Sequence, residues 1–174
     1  MSKTKQTHFL RLYEPVHHRF EKFCRARAFG DMPYEDLINE TLLIAFKKMT
    51  EIKDERAFLP FLIGISTRLL ANSKRKKRAE TVEEPAIFNN YPDPVNHIEK
   101  QFEIELLHQS LAQLPEQQRE AIILFELTGF SIKEIMAIQN CGMSAVKQRL
   151  ARGRKELAKI VKSQMEVKIV SKKN

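Results

Sequence analysis

The chain has 174 residues, and its 30 Lys and Arg against 22 Asp and Glu give a formal net charge of +8. This length allows one or two small domains with real cores, and the excess of positive charge favours a polyanionic partner. No apolar run approaches the roughly 20 residues that a membrane-spanning helix needs, and nothing resembles a signal peptide. We therefore expect a cytoplasmic protein without membrane insertion. Strand-like alternation is absent, which predicts an all-α fold.

The positive charge is concentrated in separate blocks. Residues 58–78 hold six Lys or Arg and no acid, and residues 131–162 hold eight against two acids, whereas 79–98 hold four acids and no Lys or Arg. A chain whose charges served only solubility would intersperse the two signs. The two basic blocks therefore suggest two contacts with one polyanion, most simply a nucleic acid.

The N-terminal half reads as a helical domain over residues 1–78. Residues 1–6 are polar and are expected to be disordered. Helical patterns follow over 8–29 with a break at Pro15, then over 34–49 after a turn at Gly30–Pro33, and finally over 57–78 after a polar loop. Phe58 and Phe61 begin the last helix, and this helix ends in five consecutive basic residues.

A flexible linker is predicted over residues 79–93, because this stretch is acidic and rich in Pro and Asn. Pro94 can then start a helix that runs to Leu114. Cys24 and Cys141 lie far apart and without metal-ligand spacing, so both are expected to be buried thiols.

The C-terminal half predicts a helix-turn-helix domain over 94–162, followed by a basic tail over 163–174. Ser131 can cap a short helix, with Glu134 as the return half of a capping box, and Asn140 falls where a left-handed residue would end it. The next helix starts near Met143. Because successive residues turn by about 100°, one stripe of this helix is apolar and the opposite face is cationic with a polar centre. That layout suits a helix entering a major groove.

Two motifs carry a resemblance to a known family. The segments LPEQQREAIIL, GFSIKEIMAI and SAVKQRLARGRKEL resemble the −35-reading helix-turn-helix of bacterial sigma factors of the extracytoplasmic-function class, in the sigma-70 family. The segments EDLINETLLIAFKKM and AFLPFLIGISTRLLANSKRKKR resemble the domain of the same family that grips the polymerase and opens the −10 element. The resemblance covers roughly residues 8–160.

The resemblance implies a sigma factor that binds core RNA polymerase and directs promoter-specific transcription initiation. Its implied partners are core polymerase and promoter DNA, and an anti-sigma factor is a further candidate. Polymerase-contacting positions would be Asp36, Asn39 and Glu40. The −10 contacts would come from Phe58, Phe61, Arg68, Asn72 and Arg75. The −35 contacts would come from Ser144, Lys147, Gln148, Ala151 and Arg152, with Arg149 and Arg154 nearer the phosphates.

Several positions depart from the family pattern. Phe61 stands where tryptophan is usual, and Arg68 replaces a common asparagine beside the flipped base. In the helix-turn-helix, Met136 replaces alanine, Gln139 replaces leucine and Asn140 replaces glycine. We expect Met136 to alter the packing of the two helices, and the promoter sequence cannot be carried over from the family.

Two other classes of function remain as alternatives. A stand-alone helix-turn-helix regulator would bind a palindromic duplex site without polymerase. An enzyme would need a metal or nucleophile constellation, and the acids, histidines and tyrosines show none at usable spacing. Asp36 and Glu40 share a helix face but lack a third ligand at metal spacing. We therefore expect no enzymatic activity, no metal and no cofactor.

Overall fold

The computed structural model describes residues 3–52, 54–79 and 98–171, and every regular element in these ranges is helical. The chain divides into two compact units, residues 1–86 and 87–174. The all-α, two-domain prediction is thereby confirmed for the described residues. Apart from Ala79, the predicted linker lies outside them.

Unit 1 contains four α-helices. They are α1 (Lys3–Tyr13), α2 (His17–Ala28), α3 (Tyr34–Lys48) and α4 (Phe58–Ala79), with short 3-10 turns at Met49–Glu51 and Glu55–Ala57 between the last two. Gly30 adopts a φ of 79°, a conformation that glycine reaches without strain, in the turn between α2 and α3. Helices α2, α3 and α4 pack against one another in pairs.

The expected disorder of residues 1–6 is wrong for residues 3–6, because α1 begins at Lys3. The helix is held by Phe9, which is 7% exposed and whose ring meets Phe46 and Phe58 edge-on at centroid distances of 5.4 and 5.5 Å. The ammonium of Lys5 lies 4.9 Å from the centre of the Phe46 ring. These aromatic contacts join α1 to α3 and α4 and favour helix over disorder at its start.

Unit 2 contains the remaining helices, α5 (Ile98–Ala112), α6 (Glu116–Ile122), α7 (Ile132–Gln139) and α8 (Met143–Ser171). A π-helical turn, Ile123–Leu127, continues α6. Helix α8 packs against α5, α6 and α7, and near its far end the hydroxyl of Ser110 on α5 donates to Gln164 at 2.8 Å. This helix continues through most of the predicted basic tail.

The two cysteines differ in their surroundings. Cys24 is fully buried in α2, as predicted, and burial raises the pKa of its thiol. Cys141 is only half-buried, in the turn between α7 and α8. The prediction of two buried thiols is therefore correct for Cys24 alone.

Candidate nucleic-acid and polymerase interfaces

The predicted capping residues lie at the two ends of α7. The Ser131 hydroxyl accepts from the Glu134 N–H at 3.3 Å, and the Glu134 carboxylate accepts from the Ser131 N–H at 2.8 Å, which completes a capping box. Asn140 adopts the left-handed conformation, with φ 46° and ψ 54°. Both local predictions are confirmed: the capping box fixes where α7 begins, and Asn140 fixes where it ends, three residues before α8.

One stripe of α8 is buried against the rest of unit 2. Val146 and Leu150 are 0% and 3% exposed, and Gly153 is also buried. A Cβ atom at Gly153 would lie 3.0 Å from Cγ1 of Ile122. Glycine therefore permits the close approach of α8 to α6, which fixes the side of α8 that faces solvent.

The opposite face of α8 is exposed, and it carries the residues that the resemblance assigns to base reading. These are Ser144, Lys147, Gln148, Ala151 and Arg152. Neither Lys147 nor Arg152 forms an ion pair with any described residue. Gln148 and Arg152 also line a cleft of about 370 Å³ that the start of α6, Pro115–Gln118, closes on the other side. This face offers cations and amide groups that a polyanion can reach.

The two other arginines assigned to DNA are engaged within the protein. Arg149 donates from Nη1 to the side-chain oxygen of Gln139 at 2.9 Å and to Cys141 Sγ at 3.1 Å. Arg154 donates twice to one carboxylate oxygen of Glu126, at 2.8 and 2.6 Å. Sequence reasoning listed both as phosphate contacts and missed their acidic and amide partners. Arg149 is partly buried, whereas Arg154 is exposed but bound to a carboxylate.

Helix α3 of unit 1 presents the predicted polymerase-contacting residues on one exposed face. Asp36, Asn39 and Glu40 are all exposed, and Leu43, one turn further on, is 61% exposed. Positions three and four apart on a helix are neighbours. The face therefore combines acidic side chains with an uncovered leucine, which suits a basic and partly apolar partner surface.

Helix α4 presents the residues assigned to the −10 element, with one correction. Arg68, Asn72 and Arg75 are exposed, and Arg75 donates to the Asn72 side-chain oxygen at 2.9 Å. Phe61 is partly exposed and lines a pocket of about 240 Å³ together with Arg68. Phe58 is 0% exposed, because its ring packs into the core against α1, so the assignment of Phe58 to direct DNA contact is wrong for this structure.

Part of the basic run that ends α4 is bound to the turn between α2 and α3. The Lys74 ammonium lies 3.4 Å from the Asp31 carboxylate, and the Lys77 ammonium donates to the Asp31 carbonyl oxygen. Arg27, only 1% exposed, lies 3.9 Å from the same carboxylate. Asp31 thus offsets part of the positive charge at the C-terminal end of α4. The sequence analysis did not detect this contact, because Asp31 lies more than 40 residues before the basic run.

The described residues contain no group of three or more His, Cys, Asp and Glu side chains able to hold a metal ion. Within the same ranges, no helix combines the length and the hydropathy that crossing a bilayer requires.

The chain matches the family model "Sigma-70, region 4" over residues 104–157, the segment that contains the helix-turn-helix. It is 29% identical over 131 residues to the ECF RNA polymerase sigma factor EcfG of Rhodopseudomonas palustris, covering 73% of this chain and 70% of the relative. It is 27% identical over 140 residues to the ECF RNA polymerase sigma-E factor of Escherichia coli K12, covering 74% of this chain and 72% of the relative.

Solved structures give the same fold. The sigma factor RpoE of Bartonella quintana, solved with the anti-sigma factor NepR, matches with a TM-score of 0.69 at 23% identity, over 88% of this chain and 98% of that one. CnrH, solved with the cytosolic domain of CnrY, matches with a TM-score of 0.67 at 20% identity, over 91% and 90% of the two chains. The family model and the relatives thus show that this chain is similar to sigma factors of the extracytoplasmic-function class in the sigma-70 family, and the solved structures show that it shares their fold.

Proposed function

We propose that the chain binds core RNA polymerase and directs promoter-specific initiation of transcription, with unit 2 reading the −35 element and unit 1 opening the −10 element. The observation that carries this proposal is the exposed face of α8, where Lys147 and Arg152, beside Gln148, form no ion pair with any residue that the structure describes. The family consists of transcription factors rather than enzymes, and the proposed action is binding alone. It would take place in the bacterial cytoplasm.

The −35 role of unit 2 is supported by the packing of α8, which buries the Val146 and Leu150 stripe and leaves the opposite polar and basic face exposed. A helix of this kind enters the major groove, where one bidentate contact contributes roughly 1–3 kcal/mol of discrimination between bases. Arg152 suits guanine, and Gln148 suits adenine. Lys147 and Ser144 complete the reading face.

The −10 role of unit 1 is supported by the pocket beside Phe61 and the polar stripe that follows it. Extruding a base from the duplex costs about a few kcal/mol, which contacts in a pocket must offset. Phe61 can stack on an unpaired base, and Arg68, Asn72 and Arg75 lie along α4, where a single strand can follow them. Arg68 adds a positive charge where the family commonly has asparagine.

Two protein partners are part of the proposal. Core polymerase would bind the face of α3 that carries Asp36, Asn39 and Glu40, beside the exposed Leu43. An anti-sigma factor would hold the chain inactive, by analogy with the Bartonella quintana RpoE, whose structure was solved in complex with the anti-sigma factor NepR. Such a partner would cover either the α3 face or the basic part of α8.

Run-off transcription with sigma-free core polymerase tests the proposal. The purified chain should give discrete transcripts from a subset of promoters in genomic DNA of the source organism, and core polymerase alone should not. A chain that instead binds a palindromic duplex site without polymerase would be a stand-alone regulator. The absence of specific initiation on any such DNA would refute the proposed function.

A further inference from the structure

Three helices of unit 2 meet at the side-chain amide of Gln139, the last residue of α7. Its Nε2 donates to the Gln117 carbonyl oxygen at 3.1 Å and to the Glu120 carboxylate at 2.9 Å, both on α6. Its Oε1 accepts from Arg149 of α8 at 2.9 Å. Every contact is to a different chemical group, and α6, α7 and α8 are joined at one point.

The partners allow only one orientation of this amide. The Glu120 carboxylate and the Gln117 carbonyl can only accept, whereas the Arg149 guanidinium can only donate. Turning the amide over would place its NH₂ against the guanidinium and its oxygen against the carboxylate, so both sets of hydrogen bonds would be lost. Gln139 therefore bridges an anion on α6, Glu120 at 9% exposure, and a cation on α8.

The same guanidinium also reaches the turn that precedes α8. Arg149 Nη1 donates to Cys141 Sγ at 3.1 Å, so Arg149 connects the end of α7, the turn and the second turn of α8. Its neighbours in sequence, Lys147 and Gln148, lie on the exposed reading face. A change in how Arg149 is held would therefore alter the angle at which these neighbours meet a base pair.

We propose that Gln139 is a positioning residue for −35 specificity: it holds Arg149 against α6 and α7 and thereby sets the angle of the reading face of α8. Leucine, which the family commonly has at this position, can make none of the three hydrogen bonds. The base preference of this chain should accordingly depend on a residue that never touches DNA. The inference rests on the proposed function, since it concerns the residues that read the −35 element.

The first test measures base preference and not only affinity. Full-length wild type and Gln139→Leu, each assembled with core polymerase, are titrated against promoter duplexes that carry each single substitution in the −35 element. We expect the ratio between the best and the altered sequences to change by roughly tenfold at one or two positions, because one bidentate contact is misaligned. Gln139→Met, which keeps the side-chain length but not the hydrogen bonds, should change the same positions. A uniform loss across all sequences, or an unchanged preference, would overturn the proposal.

The second test asks whether the Arg149 guanidinium contacts a DNA phosphate. Each phosphate contact contributes about 0.9 to the slope of log affinity against log salt concentration. Arg149→Ala should leave that slope unchanged, because its guanidinium is engaged with Gln139 and Cys141. Lys147→Ala is the matched control: it removes an exposed cation of the same helix that has no ion pair among the described residues, so the magnitude of the slope should fall, by up to about 0.9 if this cation also neutralises a phosphate. An equal drop for Arg149→Ala would mean that Arg149 contacts phosphate and is not held by Gln139.

The proposed function and the positioning role of Gln139 can fail separately. If wild-type protein gives no promoter-specific initiation with core polymerase, the proposed function fails and base preference has no meaning. If wild type initiates specifically, while the Gln139 variants keep its −35 preference and melt at similar temperatures, only the positioning role fails.

Discussion

Arg152 and Arg154 differ by two positions in one helix, and the structure gives them different surroundings. Arg152 lies on the exposed face of α8 without an ion pair among the described residues, whereas Arg154 donates twice to Glu126 and lies 5.3 Å from the Phe125 ring centre. Replacing each by alanine removes one positive charge from the same helix. We expect Arg152→Ala to impair −35 recognition and Arg154→Ala to leave it nearly unchanged.

The expected loss of DNA affinity for Arg152→Ala is that of one bidentate contact, because the exposed Arg152 side chain can reach a base edge. A bidentate arginine–guanine contact is worth roughly 1–3 kcal/mol, or about 5- to 150-fold in affinity for the preferred sequence. Arg154 would have to give up its carboxylate partner before it met a phosphate, so its removal should cost less than about twofold in affinity. An exposed ion pair of this kind contributes about 0–1 kcal/mol to folding, so Arg154→Ala should also remain folded.

The assay is anisotropy of a labelled promoter duplex titrated with polymerase assembled around each variant, in parallel with a direct measurement of core binding. Arg152→Ala should lose discrimination at one −35 position and keep wild-type affinity for core polymerase. Equal losses of DNA affinity for the two variants would mean that the ion pair with Glu126 does not keep Arg154 from contacting DNA. A simultaneous loss of core binding by Arg152→Ala would show that the roles of the two units are wrongly assigned.

Three further outcomes are expected. Ser131→Ala removes the hydroxyl of the capping box and should destabilise unit 2 by about 1 kcal/mol in urea denaturation. Ser131→Thr, which keeps the hydroxyl that both accepts from the Glu134 N–H and donates to the Glu134 carboxylate, should retain most of the stability, and equal losses would contradict the capping role. Gly153→Val should place methyl groups against Ile122 and cost about 1–3 kcal/mol by overpacking, measured as a lower thermal midpoint, and an unchanged midpoint would mean that α6 and α8 can separate freely. Burial raises the pKa of the Cys24 thiol, so iodoacetamide should label half-buried Cys141 before Cys24, as mass spectrometry of peptides would show; comparable labelling of both thiols would refute this. The free energy of unfolding should also fall as pH rises above about 8.5, because the Cys24 thiol then ionises only in the unfolded chain.

Features whose causes lie within a few residues of one another were predictable from the sequence. The capping box of Ser131 and Glu134 spans three positions, and the left-handed Asn140 follows directly from the end of α7. The buried stripe of α8 follows from helical periodicity, as Val146 and Leu150 illustrate. For the same reason the fold class and the helix-turn-helix could be predicted.

Features that depend on distant partners were not predictable. The sequence pattern alone favours the core for Phe58 and Phe61, whereas the resemblance assigns both to the −10 element. The contact of Phe58 with Phe9 places Phe58 in the core, while Phe61 stays partly exposed. Arg154 binds the carboxylate of Glu126, 28 residues earlier in the chain. This distant partner was not evident in the sequence, so Arg154 was expected to contact phosphate. Arg149 likewise was expected to contact phosphate, because the sequence does not indicate that the side-chain amide of Gln139 points toward it.

Helix α8 is a single element of 29 residues, about 43 Å at the usual rise of 1.5 Å per residue. Its first turns carry the reading face, and a later turn holds Gln164 against Ser110 of α5. A continuous α-helix of this length resists local bending. A small rotation of α8 near Gln164, where it contacts α5, should therefore displace the side chains at its N-terminal end. If α8 reads the −35 element as proposed, mutations or proteins that disturb the far end of α8 should change promoter choice without contacting the DNA.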